Sequence, residues 1–297
     1  MMAKRYKINM ENLIFSSVVF IVCAAACLAI AYPFYYLIIY SLSDPTKIKP
    51  GFMLLPRGFN IVAYADIYAD RKVPNAFMIS VLRSIAGTVC MLVVTSMAAY
   101  TMSKRILLGH KYISRYIVFT MYISAGMIPY YQLIYSLKLA HTFWVYVLPG
   151  LMSVFSFILI RTYIESIPAS LEESAMIDGA GYFKSFTNIV LPMCQPIIAT
   201  VALFSIVSQW NAYTDTLFYN AADNKLHTLS YVLMQYMKAN TVQLETAQRN
   251  AAMREVKPNS QMIKMAITTI TMLPIMLVYP ALQKYFVKGI MVGAIKG

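Results

Sequence analysis

Apolar and polar positions alternate along this chain in long blocks. Six blocks contain no Asp, Glu, Lys or Arg: Leu13–Leu42, Ser84–Ser103, Tyr116–Leu137, Thr142–Ile160, Ile189–Tyr213 and Met265–Gln283. Each is near or above the roughly 20 residues that a helix needs to cross the hydrocarbon core. A spanning backbone must satisfy its own hydrogen bonds, and transmembrane strands would show short alternating segments instead. The pattern predicts an all-α integral membrane protein, a single domain over 1–297 with six transmembrane helices. Lys4, Arg5 and Lys7 precede the first block, as in a secretory signal, but a signal core is about 7–15 residues and this block is longer.

The polar segments between the blocks carry their own patterns. Segment 44–76 holds the turn signals Asp44-Pro45, Lys49-Pro50-Gly51, Pro56-Arg57-Gly58 and Pro74-Asn75, and reads as a structured loop. Segment 221–261 holds Leu226, Leu229, Val232, Leu233 and Tyr236 at helical spacing. It predicts an amphipathic helix, either over an outer mouth or packed on the spans.

Segment 161–195 is the most structured of the connections. Ser166 can cap a helix opening at Ile167-Pro168, where proline costs nothing. Glu172 and Glu173 lie toward the favourable end of that helix's dipole. Ile167, Leu171, Ala175 and Met176 follow 3–4 spacing, so one face is expected to pack on the bundle. Asp178-Gly179 is a stop signal, with glycine free to take a positive φ. Tyr182, Phe183 and Phe186 follow on a second short helix, and Pro192 opens the next span. The segment reads as a docking site for another protein or as a re-entry elbow.

Composition sharpens the class. The chain is 59% hydrophobic and 12% charged, against about 25% charged in soluble domains. The net charge of +13 does not indicate nucleic acid, because the basic residues are scattered over connections and form no binding motif. Beside spans, Lys and Arg set topology and meet anionic lipid. Counted over alternate sides they number 12 and 12, with Arg83 left over. The compact group Lys104, Arg105, Lys111 and Arg115, with the basic N-terminus, favours both ends in the cytoplasm. Cys23, Cys27, Cys90 and Cys194 sit in or beside apolar blocks without a CxxC, and His110, His141 and His227 are far apart, so no metal site is expected. Prolines 129, 149, 192, 196, 274 and 280 predict kinks. No internal repeat supports an inverted-repeat transporter.

Two places carry candidate substrate chemistry. The fifth block ends Gln209-Trp210-Asn211-Ala212-Tyr213-Thr214-Asp215, a run of the aromatic, amide and carboxylate groups that bind sugars. Gln209, Trp210, Asn211, Tyr213 and Asp215 cannot all share one helix face. Arg83, at the outer start of the second span, either meets an acidic sugar such as a uronate or snorkels to the interface. Tyr130, Tyr131 and Gln132 follow Pro129 and are candidates for lining a path. Competing functions are a six-span secondary transporter or channel without ATPase partners, which needs carboxylates in its spans, and a membrane enzyme, which needs clustered acids or histidines.

The spacing in 173–192 adds a resemblance. Glu173-Ser174-Ala175, three residues, Gly179, nine residues and Ile189-Val190-Leu191-Pro192 resemble the EAA motif in the membrane subunits of bacterial ATP-binding-cassette importers. The one departure is Ser174 for alanine. The string IPASLEESAMIDGA, Trp210-Asn211 and the tail LQKYFVKGIMVGAIKG resemble the carbohydrate-uptake branch. The tail and segment 221–261 look most like the subgroup for polysaccharide-derived oligosaccharides. The resemblance runs from about Pro74 to the end.

It implies a type I ABC importer permease (MetI-like) fold in a bacterial inner membrane, both termini cytoplasmic, with its core over 74–286 and a cytoplasmic EAA coupling helix within 161–195. The coupling residues it implies are Glu172, Glu173, Ser174, Ala175, Asp178, Gly179, Ala180, Tyr182 and Phe183. It also implies a heterodimer with a second permease, two cytosolic ATPase subunits, an extracellular solute-binding protein and an oligosaccharide substrate. Catalysis, with ATP and Mg, would belong to the ATPase partners. The chain itself would hold no cofactor, and it lacks a G-x-x-x-x-G-K-[ST] phosphate loop.

Overall fold

The computed structural model describes residues 10–48, 51–104, 107–247 and 260–294. Among them the secondary structure is helical, apart from one isolated bridge between Ser43 and Phe59. The chain forms two compact units, residues 1–69 with 242–270 and residues 70–241 with 271–297.

In the first unit, α1 (Met10–Ser41) presents Phe15, Phe20, Leu28 and Ile30 outward, as suits a lipid-facing helix. Its C-terminal end organises the loop that follows. The Tyr32 ring stacks on Phe52 at 4.8 Å, and Tyr35 Oη donates to the Leu54 carbonyl at 2.5 Å. Ser43 Oγ accepts from the Arg57 amide at 3.1 Å, and Ser41 Oγ meets Tyr64 Oη of α2 (Val62–Ala69) at 2.7 Å. Asp44 accepts from the Thr46 hydroxyl and amide, and these bonds, with Lys47 nearby, hold its carboxyl below the usual range. The loop is therefore ordered over 51–61 and then gives way to α2; Lys49 and Pro50 lie outside the described residues, and Pro74-Asn75, expected in a turn, falls in the first turn of the next helix, Lys72–Ser103.

The second unit is built on α3 (Lys72–Ser103), α6 (Val154–Glu165) and α10 (Gln195–Asn211). Met91, Ala99, Tyr100 and Met102 of α3 pack with Phe157, Ile160 and Ile164 of α6 and with Ile197 and Val201 of α10. Small side chains on α3 let the helices approach, which is how membrane helices gain packing energy when lipid competes for apolar surface. A smaller cluster joins Ile134 of α5 (Met127–Ser136) to Val145, Tyr146, Val147 and Tyr219.

The spans differ from the charge-free blocks. Among the described residues, three helical stretches are long and apolar enough to cross a membrane: Leu13–Ser41, Lys72–Ser103 and Ser260–Val278. Two bent pairs raise the number to five: Phe143–Gly150 with Val154–Glu165, bent by 46°, and Tyr182–Met193 with Gln195–Asn211, bent by 79°. The block Tyr116–Leu137 is not one helix. It is split into α4 (His110–Thr120) and α5 by a break whose last residue, Gly126, has φ +85°.

The block Ile189–Tyr213 breaks at Cys194. Here a π-helical turn over Phe186–Val190 and the short α9 (Leu191–Met193) precede Pro196, which has no amide to offer the carbonyl four residues back. Pro192 thus lies before the corner and does not open the span. Helix α3 begins well before Ser84, so Arg83 lies three turns inside it and not at its start. The helix expected in 221–261 is α12 (Leu229–Ala247), with Leu229, Tyr231 and Val232 buried. The last helix, α13 (Ser260–Ala294), contains Pro274 and Pro280.

Candidate functional site

The motif-bearing segment folds as helix, tight turn and helix. Helix α7 (Ala169–Ile177) has Pro168, not Ser166, at its N-cap. Ser166 instead closes α6, its hydroxyl donating to the Tyr163 carbonyl at 2.7 Å. The dipeptide Ile167-Pro168 explains the shift, because the residue before a proline is pushed out of helical conformation.

The C-terminal end is a Schellman motif. The Gly179 amide donates to Met176 O at 3.1 Å, and the Ala180 amide donates to Ala175 O at 2.9 Å. Gly179 has φ +84° with open space where a Cβ would stand, so glycine is needed for its backbone and not for room. After it, α8 (Tyr182–Ser185) runs into the π-helical turn.

The apolar face expected on α7 does not pack as a face. None of its residues is buried, and Leu171, Met176 and Ile177 are 44%, 36% and 86% exposed. Ile167 alone of the four expected positions lies against the core. Polar contacts hold α7 in place. Glu172 Oε1 accepts from Tyr100 Oη and Oε2 is ion-paired with Lys104 Nζ. Tyr100 Oη also lies 3.3 Å from the Tyr182 carbonyl, its ring meets Phe186 at 5.0 Å, and Lys104 Nζ sits 4.6 Å above it. Glu172 is 13% exposed, so of the two adjacent glutamates one faces inward. Glu173, Ser174, Asp178, Tyr182 and Phe183 face outward, and Ala175 and Ala180 are half-buried. A second polar group supports the same end of the bundle. Arg161 donates to Glu165 Oε1 and to Ser114 Oγ, both at 2.8 Å, and His110 Nε2 meets the Met102 carbonyl at 2.7 Å.

The second candidate region centres on Arg83. Its side chain is 3% exposed. Nε donates to Gln209 Oε1 at 2.8 Å, one terminal nitrogen donates to the Ala212 carbonyl at 3.2 Å, and the other is ion-paired with Asp215. The carbon of the guanidinium lies 4.7 Å from the Tyr146 ring centroid. Arg83 therefore does not snorkel: the corner between α10 and α11 (Thr214–Tyr219) supplies its partners inside. Tyr146 Oη in turn donates to the Leu226 carbonyl at 2.7 Å and meets Thr216 Oγ1 at 3.0 Å.

Trp210 is 4% exposed, its indole N–H donating to the Thr271 carbonyl at 2.9 Å and its ring edge-on to Phe77. It offers no face to a sugar. Asn211, Tyr213, Tyr130 and Gln132 are exposed, and Asp215 is 34% exposed. The structure adds aromatic neighbours that spacing missed. Tyr131 lies 4.6 Å from Tyr135 and stacks on Tyr219 at 5.7 Å. The Tyr131/Tyr135 repeat within α5 was a legible sign. The contact with Tyr219, 88 residues on, was not.

Comparison with known proteins gives a consistent picture. Residues 102–292 match the family described as the binding-protein-dependent transport system inner membrane component. The polygalacturonan/rhamnogalacturonan transport system permease protein YtcP of Bacillus subtilis (strain 168) is 32% identical over 290 residues, covering 97% of this chain and all of the relative. Protein LplC of the same organism is 35% identical over 266 residues, 89% of each chain. A solved bacterial ABC transporter involved in import of the acidic polysaccharide alginate contains a chain with TM-score 0.83 and 28% identity, covering 96% of this chain and all of that one.

Proposed function

We propose, from the premise that this chain belongs to the binding-protein-dependent transport system inner membrane component family, that it is one of two permease subunits in an ATP-driven importer of oligosaccharides. In this reading two cytosolic ATPase subunits dock on 161–195, an extracellular binding protein delivers the sugar, and a second, homologous permease completes the path. Six crossings are proposed, the α4–α5 pair serving as a broken third, with both termini in the cytoplasm. The exposed aromatic and aliphatic side chains on that pair, among them Tyr116, Phe119, Tyr122 and Ile128, suit lipid or a partner subunit.

The observation that carries the reading is the motif's shape. The EAA spacing falls on a helix closed by a positive-φ glycine, with Glu173, Ile177, Tyr182 and Phe183 exposed beside it. Exposed aromatics on a fixed backbone are what a docking partner grips. ATP binding that draws the ATPase subunits together would carry α7 with them. It can shift the access equilibrium only by as much as ATP favours one state over the other. The polysaccharide names of the relatives above support an oligosaccharide cargo.

The test is recovery and transport. Purified from its native membrane through a tag, the chain should bring an ATPase, a second permease and a sugar-binding protein. In vesicles the complex should accumulate galacturonan oligosaccharides only with ATP inside the ATPase compartment. Recovery of a lone chain that moves solute without ATP would overturn the proposal.

A further inference from the structure

Helix α3 is tied by ionic contacts at two levels. At its C-terminal end, Tyr100 of the last turn and the C-cap residue Lys104 hold the inward-facing Glu172 of α7. Farther up, Arg83 holds Gln209 and Ala212 of the α10 end and Asp215 of α11. Seventeen residues of continuous helix separate Arg83 from Tyr100, about 25 Å at 1.5 Å per residue. Between them α3 packs tightly on α6 and α10.

Because α7 buries none of its own side chains, the Glu172 carboxylate is its principal grip on α3. A carboxylate that accepts a hydrogen bond from a hydroxyl on one oxygen and pairs with an ammonium on the other makes strong, directional bonds in a partly water-excluded place. A loosely packed helix held this way would slip if the bonds were lost, although each partner would remain folded.

Resting on the importer reading above, we propose that Glu172 is a positioning residue and not a docking contact. Through Tyr100 and Lys104 it transfers movement of α7 to α3, which acts as a rod and delivers it through Arg83 to the α10–α11 corner. Glu173 and the exposed aromatics meet the ATPase, whereas Glu172 passes the displacement inward. A rigid element linked at both ends can carry coupling over such distances, and α3 is linked through Tyr100 and its C-cap Lys104 at one level and through Arg83 at the other.

The experiment places a reporter on α11. In the full membrane complex purified through this chain, Cys23 and Cys27 are replaced by Ser and Thr214 by Cys, and maleimide labelling is followed with and without Mg-ATP and vanadate. In this background the nucleotide should change the labelling rate. Glu172→Gln, and independently the milder Tyr100→Phe, should keep the ATPase subunits bound and hydrolysing yet shrink the nucleotide-dependent change by about three- to tenfold. The double variant should be no worse than either single one, because both cut the same link.

Three results would overturn the proposal: an unchanged labelling response in both variants, additive losses, or release of the ATPase subunits as severe as that caused by Phe183→Ala. A background chain that keeps its ATPase subunits but shows no nucleotide response would overturn α3 as the rod. A background chain that recovers no ATPase fails the importer reading itself, and the inference with it.

Discussion

The side-chain amide of Gln209 lies against the backbone of Gly87. A Cβ at position 87 would stand 2.6 Å from Gln209 Nε2 and 2.9 Å from its Cδ. The amide cannot simply swing away, because its oxygen accepts from Arg83 Nε at 2.8 Å. Gly87→Ala is expected to cost about 1–3 kcal/mol of stability through overpacking. The thermal midpoint of the purified complex would report it, and Gln209→Ser should not rescue it, because removing the amide relieves the overlap but strands the buried Arg83 Nε. An unshifted midpoint for Gly87→Ala would show that Gln209 has room to move.

Asp215 is the counter-charge of a guanidinium with no exit to water. Asp215→Asn should leave Arg83 buried and unpaired, a change that costs about 3–5 kcal/mol in closed sites and less here because Asp215 is partly exposed. The monodisperse yield from membranes should drop sharply. Arg83→Met/Asp215→Asn should be milder than Asp215→Asn alone, since no charge is then stranded. The reverse order would argue against the pair as a structural clamp.

At Gly179 the surroundings are empty and the cost lies in the backbone. Gly179→Ala is expected to cost about 1 kcal/mol or more for the left-handed conformation, with Asn cheaper and Val dearer. Gly179→Asp should reach the membrane yet uncouple ATP hydrolysis from uptake, because the turn that aims α7 is altered. Normal hydrolysis and transport in reconstituted vesicles would refute this.

Phe183 and Ile177 are 70% and 86% exposed. Their replacement by Ala should leave stability within about 0.5 kcal/mol, as for exposed positions generally. Recovery of the ATPase subunits with the tagged chain should nevertheless fall. Unchanged recovery in the double replacement would move the docking face elsewhere.

The chain's own pattern determined a good deal. A backbone in lipid is satisfied in helices or closed barrels, and long charge-free blocks without short alternating segments leave the helix, so the all-helical class followed from the pattern alone. Gly179 was legible because only a positive-φ residue closes a helix in this way, and the spacing from Glu173 to Pro192 was legible as a motif. These are local properties, written within a turn or two of the residue concerned.

Tertiary structure decided the rest. Charge-free length did not reveal that Ile189–Tyr213 turns a corner at Cys194, or that Tyr116–Leu137 is two helices, because a break depends on which neighbours re-satisfy the freed carbonyls. Nor did the 3–4 spacing of Leu171 and Met176 say whether anything lay opposite them; nothing buried them. Arg83 looked like an interfacial charge until its partners, more than a hundred residues away, came to it. Glu172 and Glu173 are chemically identical neighbours. One was drawn inward and the other left outside only because Tyr100 of α3 and Lys104 just beyond its end arrive from elsewhere in the chain, and no feature of the local sequence carries that information.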